Sequence, residues 1–102
     1  MLETFRTVLG TNHKKPKSRI WIEGERLKAA GFTVGTRYNR TVHRKPDATV
    51  NHIVLTLAAD GKFKVSGKGE KPIIDITGST VTELFTGTHV LVQVEIGIIT
   101  IA

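Results

Sequence analysis

The sequence predicts one mainly β domain with two short helices, built from two related half-units that form one pseudo-two-fold domain. An internal repeat sets residues 5–58 beside residues 63–102. Apolar residues alternate strictly from Val90 to Ile96, which is typical of a strand with one buried face. The 102-residue length and 39% hydrophobic composition suit one folded domain with a modest core, so residues 1–102 are taken as a single domain.

The repeat fixes the predicted order of elements. It begins by aligning Phe5-Arg6 with Phe63-Lys64. The further matched pairs are Lys15-Pro16 with Lys71-Pro72, Gly24 with Gly78, Leu27 with Val81, Phe32 with Phe85, and Gly35-Thr36 with Gly87-Thr88. Each half is therefore predicted to run strand, loop, strand, short helix, strand, strand.

Both helices are predicted to be short. The first covers Glu25–Ala30 and ends at Gly31, a residue suited to a helix C-terminus. The second covers Ser79–Leu84, and the hydroxyl of Ser79 or Thr80 is predicted to accept hydrogen bonds from its first-turn amides.

Turn signals place the connections. Asp60-Gly61 predicts a hairpin between the apolar stretches 53–57 and 63–65, and Gly97 predicts one in the second half. The polar, proline-containing stretches 11–18 and 43–49 are predicted to be loops, the first of them mobile.

Periodicity and the repeat together predict a shared core. Its members are Ile20, Ile22, Leu27, Ala30, Phe32, Tyr38, Ile74, Ile76, Val81, Leu84, Phe85, Val90, Val92 and Val94. One position is irregular, because Arg40 stands where the second half has Val92. A bulge, an edge position or a polar site would have to accommodate it.

The positive charge is concentrated in the first half. The chain has 15 Lys and Arg against 9 Asp and Glu, a net charge of +6. Residues 1–51 hold eleven basic and four acidic side chains, and residues 52–102 hold four and five. Such asymmetry indicates a polyanion partner. The alternative is a solvated basic face that only aids solubility.

Eight basic residues are predicted to contact phosphates, because the two segments that carry them can approach each other in a compact half-unit. They are Lys14, Lys15, Lys17, Arg19, Arg37, Arg40, Arg44 and Lys45. Trp21 lies between Ile20 and Ile22, so it is predicted to face outward beside Arg19 as a possible stacking platform for bases. The alternative role of Trp21 is packing.

No residue pattern points to catalysis, so the chain is predicted not to be an enzyme. Cysteine is absent, which excludes disulfides and thiolate metal sites, and we find neither a nucleophile elbow nor a phosphate-binding glycine loop. Four scattered histidines lack metal-ligand spacing, although His43 and His52 could meet across a hairpin. We expect no cofactor, no metal, no membrane partner and a cytoplasmic location.

One stretch resembles a known family. Residues 20–36 carry a short strand, a glycine, a leucine three residues on, and then Ala30-Gly31-Phe32 before Gly35, which resembles the SymE-like toxins of the AbrB-type swapped-hairpin superfamily. That superfamily also includes transition-state regulators and MazE-type antidotes. Residues 73–88 match the pattern more weakly, since Leu84-Phe85 lacks the glycine.

The resemblance implies strand–helix–strand–strand half-units that exchange hairpins and grip DNA with basic side chains on one face. A tandem copy would make the chain a monomeric pseudo-dimer, with a homodimer as the other possibility. The implied function is nucleic-acid binding, to DNA more than RNA, by a regulator of transcription or a toxin–antitoxin component. The alternative is a protein-binding module or inhibitor, for example phage-encoded, that docks on an acidic partner protein.

Overall fold

Ten strands and two short helices form the fold in the computed structural model, which describes residues 3–102. In chain order they are β1 (Glu3–Val8), β2 (Gly10–Asn12), β3 (Lys15–Glu23), α1 (Glu25–Ala29), β4 (Arg37–His43), β5 (His52–Leu57), β6 (Phe63–Lys64), β7 (Ser66–Lys68), β8 (Lys71–Thr77), α2 (Ser79–Leu84), β9 (His89–Glu95) and β10 (Ile98–Ile101). The predicted mainly β fold with two short helices is confirmed.

The strands make two antiparallel sheets whose orders share one property. The six-stranded sheet runs β1-β9-β10-β5-β4-β6, and the four-stranded sheet runs β2-β3-β8-β7. Suppose that each first-half strand is exchanged with the strand five places later in the chain, β1 with β6, β2 with β7 and so on. Each sheet order then reads the same in the reverse direction. An approximate two-fold axis between the halves would produce this arrangement. Derivation from tandem SymE-like copies stays a prediction.

The core lies between the inner faces of the sheets and the helices. Every residue of the predicted core is buried. Six further apolar residues are also buried: Leu9, Ile53, Leu55, Val65, Ile99 and Ile101. Four of these six lie on β5 and β10, which pair at the centre of the larger sheet. Burial on this scale supplies the main favourable term in folding.

Each helix begins at a glycine that is bonded to the other half of the chain. Gly24 has φ 99° before α1, and Gly78 has φ 91° before α2, a conformation that glycine adopts without strain. The Gly24 amide donates to the Pro72 carbonyl at 3.1 Å, and the Gly78 amide donates to the Ser18 carbonyl at 3.1 Å. The predicted hydroxyl cap of α2 is wrong, since Gly78 is the N-cap and no side chain bonds there.

The hairpin predicted at Asp60-Gly61 does not form. Both edges of β5 are already occupied, by β4 and β10, so β6 crosses over and pairs with the far edge of β4. Gly61 makes this crossing possible, because a Cβ there would lie 2.5 Å from the Tyr38 carbonyl. The Arg37 guanidinium fastens the turn by donating to the Gly61 carbonyl at 3.1 Å.

The stretch predicted to be a mobile loop is instead the β2–β3 hairpin. His13 and Lys14 turn the chain with φ values of 49° and 67°. Ser18 then stabilises the irregular start of β3. Its hydroxyl donates to the Lys15 carbonyl at 2.7 Å and accepts from the Asn12 amide at 3.2 Å.

Strand pairing also shifts the repeat by two residues at its start. Phe63 lies opposite Tyr38, while Thr7 lies opposite Val90, the counterpart of Tyr38. Phe63 therefore corresponds to Thr7 and not to Phe5. Matching by residue type misled the alignment, because Phe5 belongs to the same inward-facing row of β1 two positions earlier.

We expect Leu27→Ala and Leu84→Ala each to lower the free energy of unfolding by about 2–5 kcal/mol, because both side chains are buried. Urea denaturation measures the loss, with the exposed Thr82→Ala as a control on α2 that changes it by about 0.5 kcal/mol or less. Losses below about 1 kcal/mol for both leucines would contradict the packing of the helices.

The chain has one tyrosine, and burial raises the pKa of Tyr38 above its ordinary value of 10.0. The unfolded chain then releases this proton more readily, so the contribution of Tyr38 to stability is complete below pH 10 and declines as the pH rises through the folded pKa. Phenolate absorbance should therefore appear at a higher pH in the folded protein than in the unfolded chain. The Tyr38→Phe variant should show a shallower loss of stability in the same alkaline range, and an unchanged slope would refute the assignment.

Candidate nucleic-acid interface

The β2–β3 hairpin presents three lysines to solvent. Lys14, Lys15 and Lys17 are exposed, and none of the ion pairs formed within residues 3–102 includes them. The hairpin lies beside the first turns of α2, since Lys15 lines one shallow depression together with Ser79 and Thr82. Its charges are therefore free to meet a partner.

The loop between β4 and β5, residues 44–51, reaches the other end of the same helix. Asn51 fastens it, because its side-chain amide donates to the Leu84 carbonyl at 3.2 Å and its oxygen accepts from the Lys45 amide at 2.8 Å. Arg44 lies 3.4 Å from Glu83 across an exposed ion pair. Such pairs contribute little to stability, about 0–1 kcal/mol, and are easily exchanged for another anion.

We call these five residues the α2 rim: Lys14, Lys15, Lys17, Arg44 and Lys45. A six-residue helix is about 9 Å long, so the two groups of cations stand at opposite ends of a short span. One polyanion could contact both groups at once. The exposed Thr82 lies between them on α2, and its hydroxyl donates to the Ser79 carbonyl at 3.3 Å.

The other three predicted residues do not join the rim. Arg19 binds Asp75 through two hydrogen bonds of 2.9 and 2.7 Å, and this hydrogen bonding raises the pKa of Arg19. Arg37 is the first residue of β4, and its side chain donates to the Gly61 carbonyl. At about 3.4 Å per residue along the strand, Arg37 lies about 24 Å from Arg44. The structure thus brings together five of the eight predicted cations.

Arg40 lies on β4, next to the edge strand β6 of the larger sheet. Its guanidinium carbon lies 4.3 Å from the centroid of the Phe63 ring, a cation–π contact, and the residue is half-buried. The strand beside it, β6, has only two residues, so the charged group reaches water at the open edge.

Two lysines that the sequence analysis did not select form a second basic surface. Lys64 pairs with Arg37 in the register of β6 and β4, and Lys62 precedes it on the same edge. Both are exposed. We call this surface the β6 edge. The charge distribution of the sequence did not indicate this surface, because these lysines belong to the half whose overall charge is slightly negative.

Trp21 projects from the outer face of the smaller sheet, as predicted, and is 40% exposed. The Arg19 guanidinium carbon lies 4.9 Å from the centroid of its ring. The indole N–H donates to the Glu23 carboxylate at 2.9 Å, and Lys71 lies 3.1 Å from the same carboxylate. The hydrogen bond from Trp21, followed by that from Lys71, lowers the pKa of Glu23. These contacts hold the ring in a fixed orientation.

His43 and His52 meet across the β4–β5 pair, with ring centroids 4.5 Å apart and planes 12° from parallel. Val50 supplies a carbonyl 2.9 Å from Nδ1 of His52. Within residues 3–102 no three histidine or carboxylate side chains come close enough together to hold a metal ion. The two helices of this described region are far too short to cross a membrane.

Comparisons with protein-family models, with curated proteins and with solved structures find no match to this chain. They neither support nor oppose the resemblance of residues 20–36 to the SymE-like toxins.

Proposed function

We propose that the chain binds nucleic acid through the α2 rim. The observation that carries this proposal is the set of exposed lysines at the two ends of α2, which form no ion pair within residues 3–102. Lysine and arginine side chains that neutralise phosphates release condensed counterions, and this release supplies much of the affinity of proteins for nucleic acid. The function is binding, with no catalytic step assigned.

The counterpart hairpin in the second half argues that the charge serves a partner and not the fold. In the β7–β8 hairpin Glu70 pairs with Lys28, and Lys71 pairs with Glu23. An equivalent hairpin therefore forms there with less unpaired positive charge, since Lys68 is the one lysine of that hairpin without an ion pair within residues 3–102. The unpaired lysines of the β2–β3 hairpin repel one another, and a bound polyanion would relieve this repulsion.

The identity of the nucleic acid and the biological role follow from the resemblance. As in the AbrB-type superfamily, the proposal favours DNA over RNA, and a regulator of transcription or a toxin–antitoxin component. A cytoplasmic location and a monomeric pseudo-dimer complete it. Flexible lysines that contact phosphates carry little sequence information, so we propose weak sequence preference.

An acidic protein is the second candidate partner. β1 occupies an edge of the larger sheet and leaves one side of a six-residue strand unpaired in the described structure. An extended segment of another protein could add to that edge. This alternative would replace the first if the chain does not bind nucleic acid near physiological salt.

We expect the triple variant Lys14→Ala, Lys15→Ala, Lys17→Ala to weaken binding to duplexes of different sequence by similar factors. The slope of log affinity against log salt should become shallower by about one unit for each phosphate that the variant no longer neutralises. Fluorescence anisotropy with labelled duplexes of about 20 base pairs, repeated over a salt series, measures both quantities.

The matched control is Lys62→Ala, Lys64→Ala, Lys68→Ala, which removes the same charge from exposed lysines at the opposite edges of the sheets. It should keep most of the affinity and nearly all of the salt slope. The reverse pattern would move the contacts to the β6 edge and refute the α2 rim. Absence of binding by the parent protein would refute nucleic-acid binding itself.

A further inference from the structure

Strand β3 runs from the lysine hairpin to the chain's one tryptophan. Trp21 is on the outer face of the strand, while the start of the strand is irregular, with φ 58° at Lys17 and a register shift against β2. Lys15 and Lys17 lie at the start of the strand, and Trp21 lies near its end. Trp21 is six positions after Lys15, so their Cα atoms are at most about 20 Å apart. A flexible polyanion a few nucleotides long could contact both ends of this stretch.

Resting on the proposed function, we infer that the nucleic acid bound here is single-stranded. It runs from the hairpin along β3, with phosphates at the exposed Lys15 and Lys17 and an unpaired base stacked on the outward-facing Trp21. Proteins that bind single strands combine positive charge along the backbone with aromatic rings that accept bases. The exposed ring of Trp21 and the exposed lysines supply both parts.

The fixed orientation of Trp21 favours stacking. Its N–H is bonded to Glu23, and the Arg19 guanidinium lies over the ring. Arg19 is in turn held by two hydrogen bonds to Asp75. A ring that is already immobilised loses little conformational entropy when a base binds, so more of the stacking energy appears as affinity.

The carboxylates near Trp21 do not oppose an anionic strand. Asp75 lies 2.7 Å from Arg19, and Glu23 lies 3.1 Å from Lys71. Each negative charge is thus compensated by a neighbouring cation. At the start of the same strand, Lys15 and Lys17 form no ion pair within residues 3–102, so the field near β3 attracts phosphate.

A duplex fits the same surface less well. Bases inside a duplex are stacked on one another, so none is available to Trp21 without extrusion. Neither helix of the described structure can enter the major groove to read base edges. α1 and α2 have only five and six residues, and their apolar side chains Leu27, Val81 and Leu84 are buried in the core.

The test compares a labelled oligothymidylate of about 12 nucleotides with a duplex of the same length, using the full chain at low salt. Because Trp21 is the only tryptophan, its fluorescence reports directly on this face. We expect the single strand to quench Trp21 fluorescence at saturation. The duplex, bound through the α2 rim alone, should leave it nearly unchanged.

The variant Trp21→Leu keeps an apolar side chain but removes the aromatic face. It should weaken single-strand binding by about 5- to 100-fold and duplex binding by less than about twofold. Leu91→Ala, which shortens a similarly exposed apolar residue on the outer face of the other sheet, is the matched control and should change neither. Circular dichroism checks that both variants fold.

Unchanged Trp21 fluorescence at saturating single strand would overturn the inference, and this measurement on the parent protein holds even if Trp21→Leu fails to fold. Equal affinity of folded Trp21→Leu and parent for the single strand would overturn it as well. In both cases salt-dependent binding that requires Lys14, Lys15 and Lys17 would leave the proposed function standing. A parent protein that binds neither probe would refute both proposals.

Discussion

The pairing of central strands from opposite halves is the constraint on which the fold depends. β5 pairs with β10 in the larger sheet, and β3 pairs with β8 in the smaller one. Eight apolar side chains of these four strands face inward with almost no exposure: Ile20, Ile22, Ile53, Leu55, Ile74, Ile76, Ile99 and Ile101. Neither half can complete a sheet or cover this apolar surface alone. The helices follow the same rule, because Gly24 and Gly78 each donate to a carbonyl of the opposite half.

A core that needs both halves leaves the surface of each half free to differ. The β2–β3 and β7–β8 hairpins occupy equivalent positions at the outer edges of one sheet. In the second hairpin Glu70 and Lys71 form ion pairs and Lys68 does not, while none of the three lysines of the first hairpin forms an ion pair among residues 3–102. The charge asymmetry of the sequence is therefore an asymmetry of surface chemistry on a nearly symmetric framework, as a binding face on one side would require.

The sequence predicted well those features that depend on local patterns. Alternation identified the inward face of β9, and a terminal glycine marked the end of α1 near Gly31. Asp60-Gly61 correctly indicated a turn, but a turn signal does not say which strand edge is still free to pair. That depends on β10, which lies about forty residues further along the chain. Prediction of the candidate site was limited in the same way, by contacts between residues far apart in the sequence. The sequence pattern could not show that Arg19 is ion-paired while the lysines are not, because its partner Asp75 is 56 residues away.

Arg19 and Arg40 show why a basic residue is not in itself a binding residue. Arg40 stands where the second half has an inward valine, beside an edge strand of only two residues, and its guanidinium lies over the Phe63 ring. At the equivalent place in the second half, β1 has six residues, Phe5 lies directly opposite Val92, and the position is fully buried. Arg19 serves structure in another way, since it links Asp75 on β8 to the ring of Trp21 on β3. Both arginines direct their charge toward aromatic or carboxylate neighbours. The remaining cations of the first-half hairpin and of the β4–β5 loop lie near α2, and this distribution is the basis on which we propose that a polyanion binds at this end of the molecule.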